Sequence, residues 1–70
     1  MGTAYEEIRG VGRPAREALI RAGHPELESL HGQDWAELLR LHGVGKRGLE
    51  RLQAALQERG LGMAGAPAAE

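Results

Sequence analysis

The sequence predicts an all-α protein, a bundle of five short helices in one small domain. Three observations support this fold class. The 70 residues include ten leucines, two isoleucines and two valines but no phenylalanine, which is an aliphatic core of the kind helices build. Apolar residues recur at spacings of three and four. A Gly-Val-Gly turn occurs twice, 33 residues apart, each time between two amphipathic segments.

Two helices are predicted to flank the first turn. The first starts at a capping box, in which the Thr3 hydroxyl and the Glu6 carboxylate satisfy free backbone amides, and it runs to about Arg9. The second begins near Pro14, which suits a first turn because the amides there have no intrahelical partner. Gly23 ends this helix, since glycine readily adopts the left-handed conformation found after helices.

A short helix over residues 25–30 and a capped helix over residues 34–41 are predicted next. Pro25 suits the first turn of the former for the same reason as Pro14. Asp34 starts the latter with a second capping box. Trp35 lies in the first turn after that cap, and we expect it to pack in the core rather than to stack on a nucleic-acid base.

The longest predicted helix, Lys46 to Arg59, follows the second Gly-Val-Gly turn and ends at Gly60. Its apolar stripe consists of Leu49, Leu52, Ala55 and Leu56. Gly48 weakens the helix by ~1 kcal/mol relative to alanine. Because Gly48 aligns with Ala15 of the first repeat, we expect both positions to be small so that another helix can approach closely.

The predicted domain covers residues 3–61, and the Gly-, Ala- and Pro-rich residues 62–70 are predicted to form a flexible tail. Cysteine is absent, which excludes disulfides, thiol catalysis and thiolate zinc sites. The N-terminus carries Glu6 and Glu7 where a secretory signal has cations, and no apolar run is long enough to span a membrane. We therefore expect a soluble cytoplasmic protein without a membrane partner.

Positively charged side chains are concentrated in two stretches of the sequence, although the net charge of the protein is -1. Six of the nine lysines and arginines fall in residues 8–16 and 38–49, and none of the ten carboxylates does. These six are Arg9, Arg13, Arg16, Arg40, Lys46 and Arg47. A nearly neutral protein can thus carry two local cationic patches, and the local field matters more to an anionic partner than the total charge.

The two turns extend into a longer repeat. A shift of 33 residues superimposes Ile8 on Leu41, each hairpin glycine on its counterpart, and Arg13 on Lys46. An apolar residue two positions before a Gly-apolar-Gly turn, followed by a basic and then a small residue, resembles the helix-hairpin-helix family. Over residues 4–61 the chain resembles the tandem (HhH)2 domain, a SAM-like bundle with two such motifs. Residues 18–56 are also similar to the C-terminal domain of the bacterial RNA polymerase α subunit.

The resemblance implies binding of double-stranded DNA through its phosphate backbone, without strong sequence preference. By position, the implied binding residues are Gly10, Val11, Gly12, Arg13, Gly43, Val44, Gly45 and Lys46, with Arg9, His42 and Arg47 as nearby charges. Glycines allow close approach of an anion, and the following helix dipole attracts it. Pro14 lacks the amide that Arg47 keeps, so the second hairpin is predicted to be the better phosphate site.

The alternative function is a protein–protein interaction adaptor that resembles the polymerase α C-terminal domain. Enzymatic activity is not expected, because the chain offers no thiol, few hydroxyl nucleophiles and no carboxylate pair set apart from the capping and solvated ones. His24, His31 and His42 lack a tight metal-ligand spacing, and no cofactor is expected. Some members of the family bind a monovalent cation through hairpin carbonyls, and the sequence leaves that question open.

Overall fold

The computed structural model describes residues 2–67, which form three α-helices and two 3₁₀ helices around one core. The α-helices are α1 (Arg13–Arg21), α2 (Trp35–Leu39) and α3 (Lys46–Glu58), and the 3₁₀ helices are Tyr5–Glu7 and Leu27–Leu30. Within residues 2–67 there is no β-strand, only an isolated parallel bridge between Asp34 and Ala64. The all-α class is confirmed. The expectation of five helices is wrong, because two of the segments form single 3₁₀ turns.

Thr3 does not cap the first helix as predicted. Its backbone amide and its hydroxyl each donate to an oxygen of the Glu28 carboxylate, both at 2.7 Å. The 3₁₀ helix instead follows Ala4, whose amide donates to Glu7 Oε2 across a long 3.4 Å. Because the predicted capping group is used to join two distant segments, the chain makes one tight turn here and does not continue as a helix to Arg9.

The second 3₁₀ helix is shortened by a hydrogen bond from the core. The buried Tyr5 hydroxyl donates to the carbonyls of His24 at 2.7 Å and Glu26 at 2.9 Å, on either side of Pro25. Burial raises the pKa of Tyr5 to about 12. The chain is extended at Glu26, so the helix starts only at Leu27.

The ends of α1 and α3 and the start of α2 agree with the predicted signals, whereas α2 ends at Leu39, two residues earlier than predicted. The residues after α1 and α3 include Gly23 and Gly60, with φ of 96° and 75°, which is the left-handed region expected for a glycine stop. Leu61 folds back after Gly60, and its amide donates to the Leu56 carbonyl at 2.9 Å. At the start of α2, Asp34 Oδ2 accepts a hydrogen bond from the Glu37 amide at 3.1 Å, which confirms the Asp34 cap of the predicted capping box.

A single aliphatic core joins all five elements. Its buried residues are Tyr5, Ala15, Leu19, Leu27, Leu30, Trp35, Leu38, Val44, Leu49, Leu52, Ala55, Leu56 and Met63. Trp35 is only 7% exposed, which confirms its predicted packing role. No helix within residues 2–67 is long and apolar enough to cross a membrane.

Part of the segment expected to be a flexible tail packs against the domain. We call residues 62–66 the C-terminal strap. Three backbone hydrogen bonds attach it to the loop before α2: Gly32 N–H to the Gly62 carbonyl at 2.9 Å, Ala64 N–H to the Gln33 carbonyl at 2.8 Å, and Trp35 N–H to the Ala64 carbonyl at 2.8 Å. The Met63 side chain completes the core and is 6% exposed. Residues 68–70 lie outside the described part of the chain.

We predict that Glu28→Gln lowers the Tm at neutral pH. The hydrogen bonds from the Thr3 side chain and backbone hold the pKa of Glu28 below its ordinary value. A carboxyl group whose pKa is lowered by folding stabilises the fold above its unfolded pKa, and this contribution is lost as the pH falls through its folded pKa. The Tm difference from wild type should therefore narrow in acid. Thermal unfolding from pH 7 down to pH 3 measures it, with the exposed Glu50→Gln as control; a difference independent of pH would contradict this role.

We also predict that Met63→Ala destabilises the protein by about 2 kcal/mol, through loss of buried side-chain volume. Urea unfolding followed by Trp35 fluorescence measures the change, since the Trp35 backbone bonds directly to the strap. The exposed Gln57→Ala is the matched control and should lie within about 0.5 kcal/mol of wild type. Equal stability of the Met63 variant and wild type would show that the strap does not hold in solution.

Candidate functional site

The two Gly-Val-Gly turns share two features of backbone conformation. The first glycine of each has a positive φ, 92° at Gly10 and 99° at Gly43. The second glycine of each is the extended N-cap of the following helix, Gly12 before α1 and Gly45 before α3. The sequence repeat is therefore also a structural repeat, in which each hairpin delivers the chain to the start of a long helix.

Each hairpin packs against the helix of the other repeat. A β-carbon on Gly43 would lie 2.9 Å from the Pro14 carbonyl oxygen, which is closer than real contacts of this kind. A β-carbon on Gly10 would lie 3.0 Å from Cγ of Arg51 in α3. The second hairpin, which leads into α3, therefore contacts the first turn of α1, so the N-terminal ends of these two helices lie side by side.

Gly48 and Arg51 of α3 both lie close to the first hairpin. A β-carbon on Gly48 would meet only the Gly10 carbonyl oxygen, at 4.0 Å, so its neighbour is the first hairpin and alanine would fit. The expected need for a small residue against another helix is therefore wrong at this position. The aliphatic stem of Arg51, a residue outside the sequence-predicted site, covers Gly10. Its place one turn after Gly48, on the same face of the helix, is the sequence signal for that contact.

Free backbone amides are present at both helix starts. Neither Gly12 nor Gly45 supplies a side-chain cap, and the first intrahelical bonds begin at Arg16 N–H to Gly12 at 3.1 Å and Leu49 N–H to Gly45 at 3.0 Å. The first turn of α3 therefore offers three amides, on residues 46–48, without an intrahelical acceptor. The first turn of α1 offers two, because the proline at its second position has no N–H.

The charges around these amides favour the second hairpin. Neither α1 nor α3 has an acidic residue in its first turn. Lys46 and Arg47 are exposed, and no ion pair within residues 2–67 involves them. By contrast, Arg13 pairs with Glu17 at 3.1 Å, which partly neutralises the cation at the start of α1. The structure thus places more uncompensated positive charge at the start of α3.

The remaining candidate residues divide into packing and surface groups. The Val44 side chain is buried, and the Val44 amide donates to the Leu41 carbonyl at 3.0 Å, so both the side chain and the amide stabilise the turn. Val11 is half-buried against the core. Arg9 and His42 are exposed, each immediately before the first glycine of a hairpin. Their positions allow contact with an anion that lies on the corresponding hairpin.

Among residues 2–67, no group of three or more His, Asp or Glu side chains lies close enough together to hold a metal ion.

Comparison with known proteins identifies the family of the chain. No curated protein matches the sequence. Residues 3–58 match the family described as the SAM-like helix-hairpin-helix tandem, which covers both hairpins and α1 to α3. With most of its length in that match, the chain belongs to the SAM-like helix-hairpin-helix tandem family.

Proposed function

We propose that this protein binds double-stranded DNA through its phosphate backbone, with the second hairpin as the principal contact. The family fold is commonly nucleic-acid binding, which supports the broad class of partner. The observation that carries the proposal is the combination of free amides and unpaired cations at the start of α3. A phosphate at this position would accept hydrogen bonds from the amides and neutralise Lys46 and Arg47.

The charges in the first turn of α3 are opposite in sign to those that usually stabilise the start of a helix. The positive end of a helix dipole favours anions, and a cation in the first turn is unfavourable by a few tenths of a kcal/mol to about 1 kcal/mol. Lys46 and Arg47 therefore stand where they weaken the isolated protein. A bound phosphate reverses the sign of this interaction, so the same residues become favourable in the complex.

In this proposal the chain binds DNA and catalyses no reaction. The contacts are to backbone phosphates, so little discrimination between base sequences is expected. If the protein neutralises about four phosphates, its affinity for DNA should fall roughly a hundredfold when the salt concentration rises from about 50 to about 200 mM. Because the net charge is -1, long-range attraction is weak and the binding depends on the local patch.

We predict that Lys46→Glu combined with Arg47→Glu abolishes DNA binding and leaves the fold intact. Both side chains are exposed, and carboxylates in a first turn are favourable to the helix, so the Tm should not fall. Fluorescence anisotropy with a labelled duplex at low salt measures binding. Arg21→Glu reverses a charge in the last turn of α1, away from the hairpins, and should retain most of the affinity. Wild-type affinity in the Lys46/Arg47 variant would place the site elsewhere.

A comparison of Arg47→Pro with Arg47→Ala should separate the amide from the charge. Pro14 occupies the equivalent position of α1, which shows that this turn accommodates proline. Both variants lose the cation, and only proline also loses the N–H. We predict that Arg47→Pro binds DNA more weakly than Arg47→Ala, whereas Pro14→Arg binds more tightly than wild type. Equal affinities of the proline and alanine variants, in the same anisotropy titration, would mean that the amide does not contact phosphate.

A further inference from the structure

The 33-residue repeat also relates two surface hollows of about 250 Å³ each. The first, which we call the α1 groove, is lined by Ala18, Arg21, Ala22, Leu41 and His42. The second, the α3 groove, includes Arg51, Ala54, Ala55, Ile8 and Arg9, which are the same positions shifted by 33. Each groove thus lies between the helix of one repeat and the segment that leads into the hairpin of the other.

The two grooves have different chemistry. The α3 groove also contains Glu7, Glu58 and Arg59, so carboxylates lie among its arginines, and Glu58 and Arg59 approach to 4.0 Å. Among residues 2–67, no carboxylate lines the α1 groove: three apolar residues form most of it, and Arg21 and His42 are the charged or titratable residues in this part of the chain that line it. The α3 groove is thus balanced by its own side chains, whereas the α1 groove is an apolar hollow with a basic rim.

The position of the α1 groove separates it from the hairpin site. The second hairpin contacts α1 at Pro14, in the first turn. At 1.5 Å per residue, Ala18 lies about 6 Å and Ala22 about 12 Å farther along the helix. The groove therefore extends from His42, beside the second hairpin, along the side of α1, and a nucleic acid on the hairpins would leave its Arg21 and Ala22 end open.

Size and symmetry restrict the occupant. The volume is below the roughly 300–1,000 Å³ of pockets for drug-sized ligands, so the groove suits side chains better than a cofactor. A second copy of this chain is a poor fit. Its most exposed large apolar residue, Ile20, is 50% exposed but lies about 200° around α1 from Ala22. A contact of Ile20 with this groove would be head-to-tail and would not close into a dimer.

We infer that the α1 groove docks a short acidic, aliphatic segment of a partner protein. An aliphatic side chain covers Ala18, Ala22 and Leu41, and an adjacent carboxylate lies beside Arg21 and His42. A neighbouring hollow shares Ala22 and Leu41 but is lined by Asp34 and Glu37. That acidic end repels carboxylates, so the segment lies with its acidic residues at the Arg21 end. This function goes beyond nucleic-acid binding and uses a surface that shares only His42 with the proposed hairpin site.

An NMR titration with a defined peptide tests the inference. The probe is acetyl-Asp-Glu-Leu-Leu-Gly-amide at low salt, and the matched peptides replace its two acids with lysines or its two leucines with serines. The expected result is amide shifts in residues 18–22 and 41–42 with the probe, and much smaller shifts with either matched peptide. No shift at these residues, or equal shifts with the serine peptide, would overturn the inference, as would shifts confined to residues 46–48.

Two groove variants, each with a control variant, test whether the probe binds in the α1 groove. Arg21→Glu should weaken binding of the probe about fivefold, because a rim attraction becomes a repulsion. Arg40→Glu makes the same charge change outside the groove and should bind the probe as wild type does. Ala22→Leu fills the apolar hollow and should also weaken binding, whereas Ala36→Leu on exposed α2 should not. Unchanged affinity in both groove variants would overturn the inference. The inference would also be overturned if duplex DNA shifted the groove amides of the Lys46→Glu/Arg47→Glu variant in the NMR titration. Loss of DNA binding without such shifts would concern only the proposed function of the hairpins.

Discussion

The close approach of the second hairpin to α1 is the constraint on which the rest of the structure depends. Gly43 has a φ of 99°, and a β-carbon there would lie 2.9 Å from the Pro14 carbonyl oxygen. Any other residue would meet both backbone strain and a clash with backbone that cannot move aside. Because this contact joins the turn before α3 to the first turn of α1, it brings two positive helix ends together. The shared anionic partner that we propose depends on that arrangement.

The three α-helices begin in two different ways, and the difference bears on function. α2 follows the ordinary rule for stability, with Asp34 as a side-chain cap and Glu37 in the first turn. α1 and α3 have glycine caps, no acid in the first turn, and cations that include Lys46 and Arg47. A side-chain cap and an acidic first turn therefore stabilise the start of α2, and both are absent at the adjacent starts of α1 and α3. Departures of this kind from local rules are expected at functional sites.

Local signals were predicted well, and contacts between distant segments were not. Glycine stops, the Asp34 cap and the apolar stripe of α3 depend on residues within a few positions, so the sequence contains all the information. Thr3 also had a local capping partner, but Glu28, 25 residues away, accepts both of its hydrogen bonds. The strap, residues 62–66, is held mainly through its backbone, which composition cannot reveal. For the candidate site, the hairpin residues followed from the repeat, whereas the contact of Gly10 with Arg51 is tertiary, and helical spacing relates Arg51 only to Gly48.

The repeat preserves backbone geometry while its surfaces have diverged, and this permits two anionic partners on one small domain. Pro14 and Arg47 are equivalent positions, yet only the second offers an amide and a cation. The α1 and α3 grooves are equivalent too, yet only the α3 groove contains its own carboxylates. The separation of about 12 Å along α1 between Pro14 and Ala22 exceeds the Debye length of about 8 Å at physiological salt. A nucleic acid on the hairpins would therefore repel an acidic side chain at the Arg21 end of the α1 groove only weakly, and this repulsion would strengthen as the salt concentration falls.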